Sequence, residues 1–527
     1  MKHIIFIFSA ILLLIGGCIK DESTLAINEI PIIGIDTAGF ATRHTVFQQD
    51  TLVIEPVITI EHGDRNRLKY KWTMNTFGYE RLVGTASRLE AVINEAPSPT
   101  AYKLIFTATD SLNNIKTFFT WDISVISPFG QGLVVADTRD EKTTDLNLIM
   151  AFNFTTAIQK DSLTERIIYN AYSVANGEKI EGLVSHLDFY RYNAEKNVTL
   201  LTDKALTRID VNSYKKVDTD EKLFLIPPTK IVPTDISTAI VTNQHQYLVN
   251  NGKAHGRYGQ SRQFLYSFLA SDKLGYETKK IIGLQNPSLS IPGGVLYDEL
   301  NSRFLILPGI VYMADPLRNF PTFDPKHSSA KFDPGQMGNK TCLHMFEGYD
   351  KSMMCIMKER DQEKYYAYQI RFTAPLSGGM GVAVNDLSQN PDISNARFFT
   401  SSTSEQVLFY GTPDKVYTTI VEIGSPSTTT LRYQTNPGEK ITGMKIFTGS
   451  GRMYLPSSSD PLDWTKRIST NASQRLLLLS IYNENTKEGK IITIPIESLG
   501  VGGLVTNPDY IREYRGFGRI TSFGLQN

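Results

Sequence analysis

Short apolar runs separated by turn residues follow one another along most of the chain. The runs are rich in Val, Ile, Leu, Phe and Tyr, and Gly, Asn, Asp, Pro or Ser bound them, whereas apolar residues at helical spacing are almost absent. This pattern is typical of short strands joined by tight turns. The sequence therefore predicts an all-β protein.

The chain has 527 residues, which is more than a single hydrophobic core usually organises, so we expect at least two domains. The first block covers residues 24–128, and its apolar runs predict about seven strands, a number that suits an Ig-like β-sandwich. The clearest runs are 51–58, 68–74, 102–109 and 118–125. The segment 127–130, Ser-Pro-Phe-Gly, is the predicted linker.

Within this block, Tyr70-Lys71-Trp72 and the later run from Tyr102 to Asp110 resemble the strands of a PKD-type domain. In that family the aromatic residue of the middle strand packs between the two sheets. The resemblance implies that Trp72 is a core residue rather than a ligand-binding one. The usual glycine-aspartate run after the tryptophan is missing here.

Residues 131–527 repeat a pattern of apolar run, tight turn and apolar run at intervals of roughly 50 to 70 residues, about the length of a decorated four-stranded blade. The paired runs are 132–137 with 145–150, 198–202 with 205–210, 294–298 with 303–308, 407–410 with 416–421, and 475–480 with 490–495. The pattern predicts a β-propeller, with seven blades as the expected number. A row of stacked sandwich domains is the alternative.

A propeller closes its ring by pairing a strand from one end of the chain with the sheet built from the other end. The segment 517–523 near the C-terminus is an apolar run placed to pair with the sheet that begins near Gly132. We therefore expect this segment to close the ring.

The N-terminus begins with Met1-Lys2-His3 and continues with twelve residues, 4–15, that are apolar apart from Ser9. This run is too short to span a bilayer and fits a signal peptide over residues 1–17. The following Gly16-Gly17-Cys18 resembles a lipobox, which implies cleavage before Cys18 and lipid attachment to its thiol. An ordinary signal peptide with a chance cysteine is the alternative.

Residues 18–23 form the predicted lipidated tether, and Lys20-Asp21-Glu22 resembles the surface-export signal of Bacteroidota lipoproteins. Together with the PKD-type block, the chain is similar to PKD-like lipoproteins of Sus-type nutrient-uptake systems. This resemblance implies a cell-surface location on the outer membrane, held through the lipid anchor only. It also implies a TonB-dependent channel and its lid lipoprotein as partners, and a glycan or peptide as ligand. A plain acidic tether is the alternative reading of residues 19–22.

Charge and motifs exclude several classes of function. The 54 basic and 54 acidic residues cancel, so no broad patch for nucleic acid is expected. There is no G-x-S-x-G elbow, no P-loop and no H-E-x-x-H, so we predict no catalytic residues, no metal and no cofactor. Non-catalytic capture of the ligand is the main hypothesis. A hydrolase or lyase with acids from several blades, and a purely structural envelope protein, are the alternatives.

Aromatic residues are the candidates for ligand contact, because a flat ring can cover the apolar face of a sugar or a peptide side chain. Trp464 lies in a polar, loop-like segment, and Tyr366 and Tyr368 share one face of a predicted strand. The cysteines Cys342 and Cys355 face each other if Gly348 and Tyr349 form a two-residue hairpin loop. They then form either a disulfide or two buried thiols.

Overall fold

The computed structural model describes residues 29–526 except 37–38, 40, 157, 159–164, 194, 240–243, 260, 285–292, 310–315, 374, 422–427 and 456–467. The chain divides into two compact units, Met1–Ser127 and Pro128–Asn527. The boundary lies inside the segment that the sequence suggests as a linker. The predicted signal peptide, tether and Cys18 lie outside the described residues.

The first unit is built from nine strands and one short 3-10 turn, Arg65–Arg67. The strands are β1 Ile32–Asp36, β2 Arg43–Phe47, β3 Thr51–Ile54, β4 Val57–Glu61, β5 Leu68–Asn75, β6 Glu80–Gly84, β7 Leu89–Val92, β8 Tyr102–Asp110 and β9 Lys116–Ile126. A five-stranded sheet has the order β2-β9-β8-β5-β6, and β1-β4 and β3-β7 form two further pairs. The expected β-sandwich is therefore present.

An aromatic cluster fills the core of the first unit. Trp72 on β5 is completely buried, and its ring centroid lies 4.5 Å from that of Phe106 and 5.4 Å from that of Trp121. The indole nitrogen of Trp72 donates a 2.8 Å hydrogen bond to the carbonyl of Ala86. A buried indole needs such a partner. The prediction that Trp72 is a core residue is confirmed.

The second unit contains strands β10 to β40, one helix and four short 3-10 turns among the described residues. The strands are β10 Gly132–Thr138, β11 Thr143–Met150, β12 Arg166–Ile168, β13 Ile180–Glu181, β14 His186–Tyr192, β15 Glu195–Leu201, β16 Leu206–Asp210, β17 Lys216–Thr219, β18 Pro233–Ala239, β19 His245–Asn250, β20 Lys253–Tyr258, β21 Ile281–Gly283, β22 Gly294–Asp298, β23 Arg303–Leu307, β24 Arg318–Asn319, β25 Lys340–Glu347, β26 Met353–Glu359, β27 Tyr365–Ile370, β28 Gly381–Asp386, β29 Phe398–Ser401, β30 Val407–Gly411, β31 Lys415–Ile420, β32 Thr429–Gln434, β33 Glu439–Ile446, β34 Arg452–Leu455, β35 Ile468–Asn471, β36 Leu476–Asn483, β37 Glu488–Ser498, β38 Gly503–Leu504, β39 Arg512–Phe517 and β40 Arg519–Gln526. The helix is α1 Ala171–Asn176, and the turns are Asp220–Leu223, Tyr349–Lys351, Ile393–Asn395 and Pro508–Tyr510.

These strands form antiparallel sheets that follow one another along the chain. The sheet orders are β40-β10-β11-β12, β14-β15-β16-β17, β18-β19-β20, β21-β22-β23-β24, β25-β26-β27-β28, β29-β30-β31-β32 and β33-β36-β37-β38, with β13 pairing β11, β39 pairing β37, and β34-β35 as a separate pair. Every hairpin predicted from paired apolar runs is present. The middle strands are buried on both faces, which explains why their sequences read as continuous apolar runs.

The first strand of each sheet contacts the first strand of the next one. The contacts run from β40 to β14, β18, β21, β25, β29 and β33 and then back to β40. A closed ring of inner strands is the arrangement of a propeller and excludes a row of stacked sandwiches. The second unit is therefore a β-propeller. Seven inner strands form this ring among the described residues, while the number of blades stays a prediction.

The C-terminal strand closes the ring. β40 pairs with β10, from Gly132 opposite Gln526 to Thr138 opposite Arg519, so the first sheet contains both the start and the end of the unit. The side chain of Gln526 also donates to the carbonyls of Phe129 and Gly130. Closure by the predicted segment 517–523 is thus confirmed, although β40 begins two residues later, at Arg519, and extends three residues beyond the prediction.

The hairpin around the two cysteines differs from the predicted register. Its loop holds a 3-10 turn instead of two residues, and a bulge follows Cys342, so Cys342 lies opposite Met357 and Cys355 lies opposite Met345. The facing arrangement that the sequence suggested is therefore wrong. The two sulfur atoms nevertheless lie 3.3 Å apart, as free and buried thiols. A disulfide would need them to approach to about 2.05 Å, and it stays a prediction.

Candidate functional site

Two cavities open at opposite ends of the inner strands of the propeller. The axial cavity, of about 730 Å³, follows the C-terminal halves of β18, β33 and β40 and the adjacent part of β14. The basic mouth, of about 800 Å³, lies at the N-terminal ends of β29, β33 and β40. Both volumes are in the range of ligand sites, and the axis of a ring is where several strands can contribute side chains to one site.

Asp188 and Lys445 bring opposite charges to the axial cavity. Lys445 on β33 is open to the cavity but surrounded by protein, and its ammonium donates to the carbonyl of Phe523 at 2.7 Å. Burial lowers the pKa of Lys445, and Asp188 opposes this shift. Burial also raises the pKa of Asp188, whereas hydrogen bonds from Thr238 and Gln246 lower it. Both groups therefore have reduced hydration and strong electrostatic interactions.

A buried arginine, Arg257, positions the Asp188 carboxylate through Gln246. Thr238 Oγ1 and Gln246 Nε2 each donate to Asp188 Oδ2 at 2.5 Å. Arg257 Nε donates in turn to Gln246 Oε1 at 2.8 Å, and its guanidinium stacks on the ring of Tyr190 at 3.8 Å. Arg257 is completely buried. This series of hydrogen bonds therefore orients the amide of Gln246 and prevents Asp188 from changing rotamer.

One wall of the axial cavity is aromatic. Phe189 on β14 is half-buried and Phe523 on β40 is buried, and both line the cavity. Phe189 can approach β40 because residue 524 is glycine, where an added Cβ would lie 2.9 Å from Phe189 Cε2. A partly exposed ring beside a cation and a carboxylate can stack on a ligand and form charge-assisted hydrogen bonds with it. This combination suits a polar ligand with apolar faces, such as a sugar.

A row of three polar side chains lies near the basic mouth. Ser185 Oγ is 2.9 Å from His186 Nδ1, and His186 Nε2 is 3.4 Å from Asp235 Oδ1. Burial lowers the pKa of His186, which favours the neutral imidazole. However, Ser185 Oγ also donates to the carbonyl of Leu201, and both oxygens of Asp235 accept backbone N–H groups. These bonds also tie Ser185 and Asp235 to backbone groups.

The structure places the predicted aromatic candidates differently from the sequence. Tyr368 is buried in the core between neighbouring sheets, and Tyr366 packs against the same cluster half-buried, with its hydroxyl donating to Glu359. Tyr365, on the other face of β27, is also buried. Both faces of this strand are therefore core, so this strand offers no open ligand platform. Trp464 lies outside the described residues.

Sequence reasoning missed Asp188, Phe189 and Lys445. Each lies on an inner strand with polar and apolar residues mixed, as in His186–Tyr192, and such strands give a weaker signal than the continuous apolar runs of the middle strands. A signal was nevertheless present, because an acidic or basic residue inside a predicted strand needs either a partner or a solvent-filled channel. What could not be read from one sequence is that these strands meet at the axis.

No group of three or more His, Cys, Asp or Glu side chains suited to a metal ion occurs among the described residues. Helices long and apolar enough to cross a bilayer are likewise absent from that part of the chain.

The fold defines an all-β protein that consists of a β-sandwich and a β-propeller. The model of the PKD-like family matches residues 25–183, which include the whole described sandwich and the first strands of the propeller unit. The N-terminal domain is thus PKD-like, as the resemblance of its strands suggests. Among curated proteins, none matches the chain.

Several solved structures are similar to the chain over most of its length, at low identity. A quinonprotein alcohol dehydrogenase-like protein from Bacteroides thetaiotaomicron is 13% identical with a TM-score of 0.36, and the match covers 90% of this chain and 96% of that one. Dihydro-heme d1 dehydrogenase NirN is 10% identical with a TM-score of 0.41, covering 76% of each chain. The β-propeller domain of Cps50 from Myceliophteria thermophila is 10% identical with a TM-score of 0.31, covering 63% of this chain and 86% of that one. Such weak likenesses carry no argument about function.

Proposed function

We propose that this protein is a surface-exposed outer-membrane lipoprotein that captures an oligosaccharide or peptide without chemical turnover, as an accessory of a Sus-type uptake complex. The axial cavity is the observation that supports the capture function, because Phe189, Asp188 and Lys445 offer a ring, an anion and a cation within one cavity. The PKD-like match and the lipobox-like start of the chain support the location and the partners.

Binding measurements on two cavity variants test the capture function. Fragments of polysaccharides and of proteins are screened by calorimetry against the natural protein, Phe189→Leu and Lys445→Gln. Lys216→Gln is the matched control, because Lys216 is exposed on the outer strand β17 and pairs with Glu178. We expect a ligand whose affinity falls about tenfold or more in both cavity variants, because each loses a stacking or charge-assisted contact. A ligand bound equally by all four proteins would place the site elsewhere.

A second candidate function is hydrolysis, and one observation favours it, namely the row formed by Ser185, His186 and Asp235. A hydroxyl beside a neutral imidazole is the arrangement that nucleophilic catalysis uses. The test is turnover of ester, glycoside and peptide libraries by the natural protein and by Ser185→Ala. Turnover that disappears in Ser185→Ala would establish this function, and its absence from the natural protein would reject it.

A further inference from the structure

The basic mouth is a second cavity of the propeller and lies at the opposite end of the inner strands from the axial cavity. It is lined by the starts of β29, β33 and β40 and by the turns that join β10 to β11, β30 to β31 and β36 to β37. Strands and tight turns therefore position its side chains, which keeps their spacing fixed before any ligand arrives.

Positive charge is in excess in this cavity, although the chain as a whole is neutral. Four basic side chains line it, and the two acidic ones are Glu141 and Glu484. Arg519 pairs with Glu141 at 3.3 Å. Within the described residues, Arg397, Lys440 and Lys487 form no ion pair, and Arg397 and Lys487 are exposed. Clustered cations without partners repel one another and are stabilised by an anion placed between them.

Two aromatic rings accompany the cations. Phe398 at the start of β29 and Tyr482 at the end of β36 both line the cavity and are half-buried. Tyr482 lies directly opposite Lys440 in the register of β33 and β36. The ring and the ammonium group therefore belong to one cross-strand pair. Rings stack on the apolar faces of sugars, whereas phosphate or sulfate ions alone offer no such face.

We propose that the basic mouth binds an anionic oligosaccharide, with carboxylate or sulfate groups on the cations and sugar faces on Phe398 and Tyr482. The proposal needs neither the axial cavity nor its ligand, since the two sites share no side chain. The experiment that tests the basic mouth can therefore fail or succeed independently of the experiment with Phe189→Leu and Lys445→Gln.

The test measures the affinity of the full chain for oligogalacturonate and for a sulfated oligosaccharide, with an uncharged oligogalactan of equal length and polyglutamate as comparison probes. The test variant combines Arg397→Gln, Lys440→Gln and Lys487→Gln. The matched control combines Lys179→Gln, Lys204→Gln and Lys216→Gln, which removes the same charge from exposed positions outside the cavity. Circular dichroism checks that all variants fold.

We expect binding of at least one anionic sugar that is stronger than binding of either comparison probe and that weakens with salt. The affinity should fall about tenfold in the test variant and stay unchanged in the control, because three solvent-accessible charge contacts together contribute about that factor. Binding of polyglutamate as tight as that of the sugars would overturn the assignment to a glycan. Equal losses in both triple variants, or no binding of either anionic sugar, would overturn the site.

Discussion

Several ionisable side chains near the axis of the propeller have pKa values that the surrounding protein shifts. His186 and His344, on two inner strands, both have pKa values lowered by burial, and the nearby cation Lys280 lowers them further. Lys445 is shifted in the same direction by burial. Burial therefore favours the neutral imidazole at both histidines, while Asp188 opposes the loss of charge on Lys445.

His344 makes the stability of the propeller depend on pH. Burial lowers the pKa of this imidazole from 6.5 to about 4, although a hydrogen bond with the carbonyl of Arg397 acts against the shift. Between these values the unfolded chain binds more protons than the folded one, so stability rises with pH and is lost as pH falls through this window. The full effect is about 3 kcal/mol.

Thermal unfolding between pH 7 and pH 4 checks this prediction. The melting temperature of the natural propeller should fall more steeply than that of His344→Gln, which has no group to protonate at this position. His327→Gln, at an exposed position of the same unit, should behave as the natural protein does. Identical pH profiles for the natural protein and His344→Gln would contradict the prediction.

Among the elements of the propeller, the middle hairpins could be predicted, whereas inner strands such as β14 and β21 could not. β22 and β23 are buried along their whole length, so Gly294–Asp298 and Arg303–Leu307 read as apolar runs with a turn between them. The inner strand β21 has only three residues, Ile281–Gly283, and β14 mixes polar and apolar residues where it lines the axial cavity. Position around a closed ring is a property of tertiary structure, which no local pattern contains.

The cysteine hairpin shows the same limit at the level of register. The sequence placed Cys342 and Cys355 on neighbouring strands, and the structure confirms that they are close. A bulge after Cys342 and a longer loop changed which residues lie opposite each other. Register depends on loop type, and the loop sequence Gly-Tyr-Asp-Lys-Ser does not identify its own geometry.

Closure of the ring by β40 should dominate the stability of the propeller. Phe523 on this strand is buried in the cluster that joins the first and last sheets, together with Ile520. Phe523→Ala should cost about 3 to 5 kcal/mol, because it leaves a cavity where β40 packs. Calorimetry of the full chain measures the effect. Leu269→Ala, at a side chain that is 76% exposed, should change the transition little. A propeller transition that Phe523→Ala leaves unchanged would contradict ring closure by this strand.

At the scale of the whole molecule, the two units have separate cores, and the sandwich core is complete within residues 29–127. We expect residues 24–127 to fold alone. Trp72 and Trp121 are both buried there, so the fragment should show blue-shifted tryptophan emission and a cooperative unfolding transition. Trp72→Phe should lower the stability of the fragment and keep its fold. Emission like that of the urea-unfolded fragment would contradict an independent sandwich.

We have proposed that this protein acts beside a nutrient importer, with a propeller that holds a ligand near the TonB-dependent channel. Mass spectrometry of the proteins that co-purify with the tagged chain, extracted from the outer membrane in mild detergent, tests it most directly. We expect recovery of a TonB-dependent channel and its lid lipoprotein. Recovery of this chain alone, or from a fraction other than the outer membrane, would contradict it.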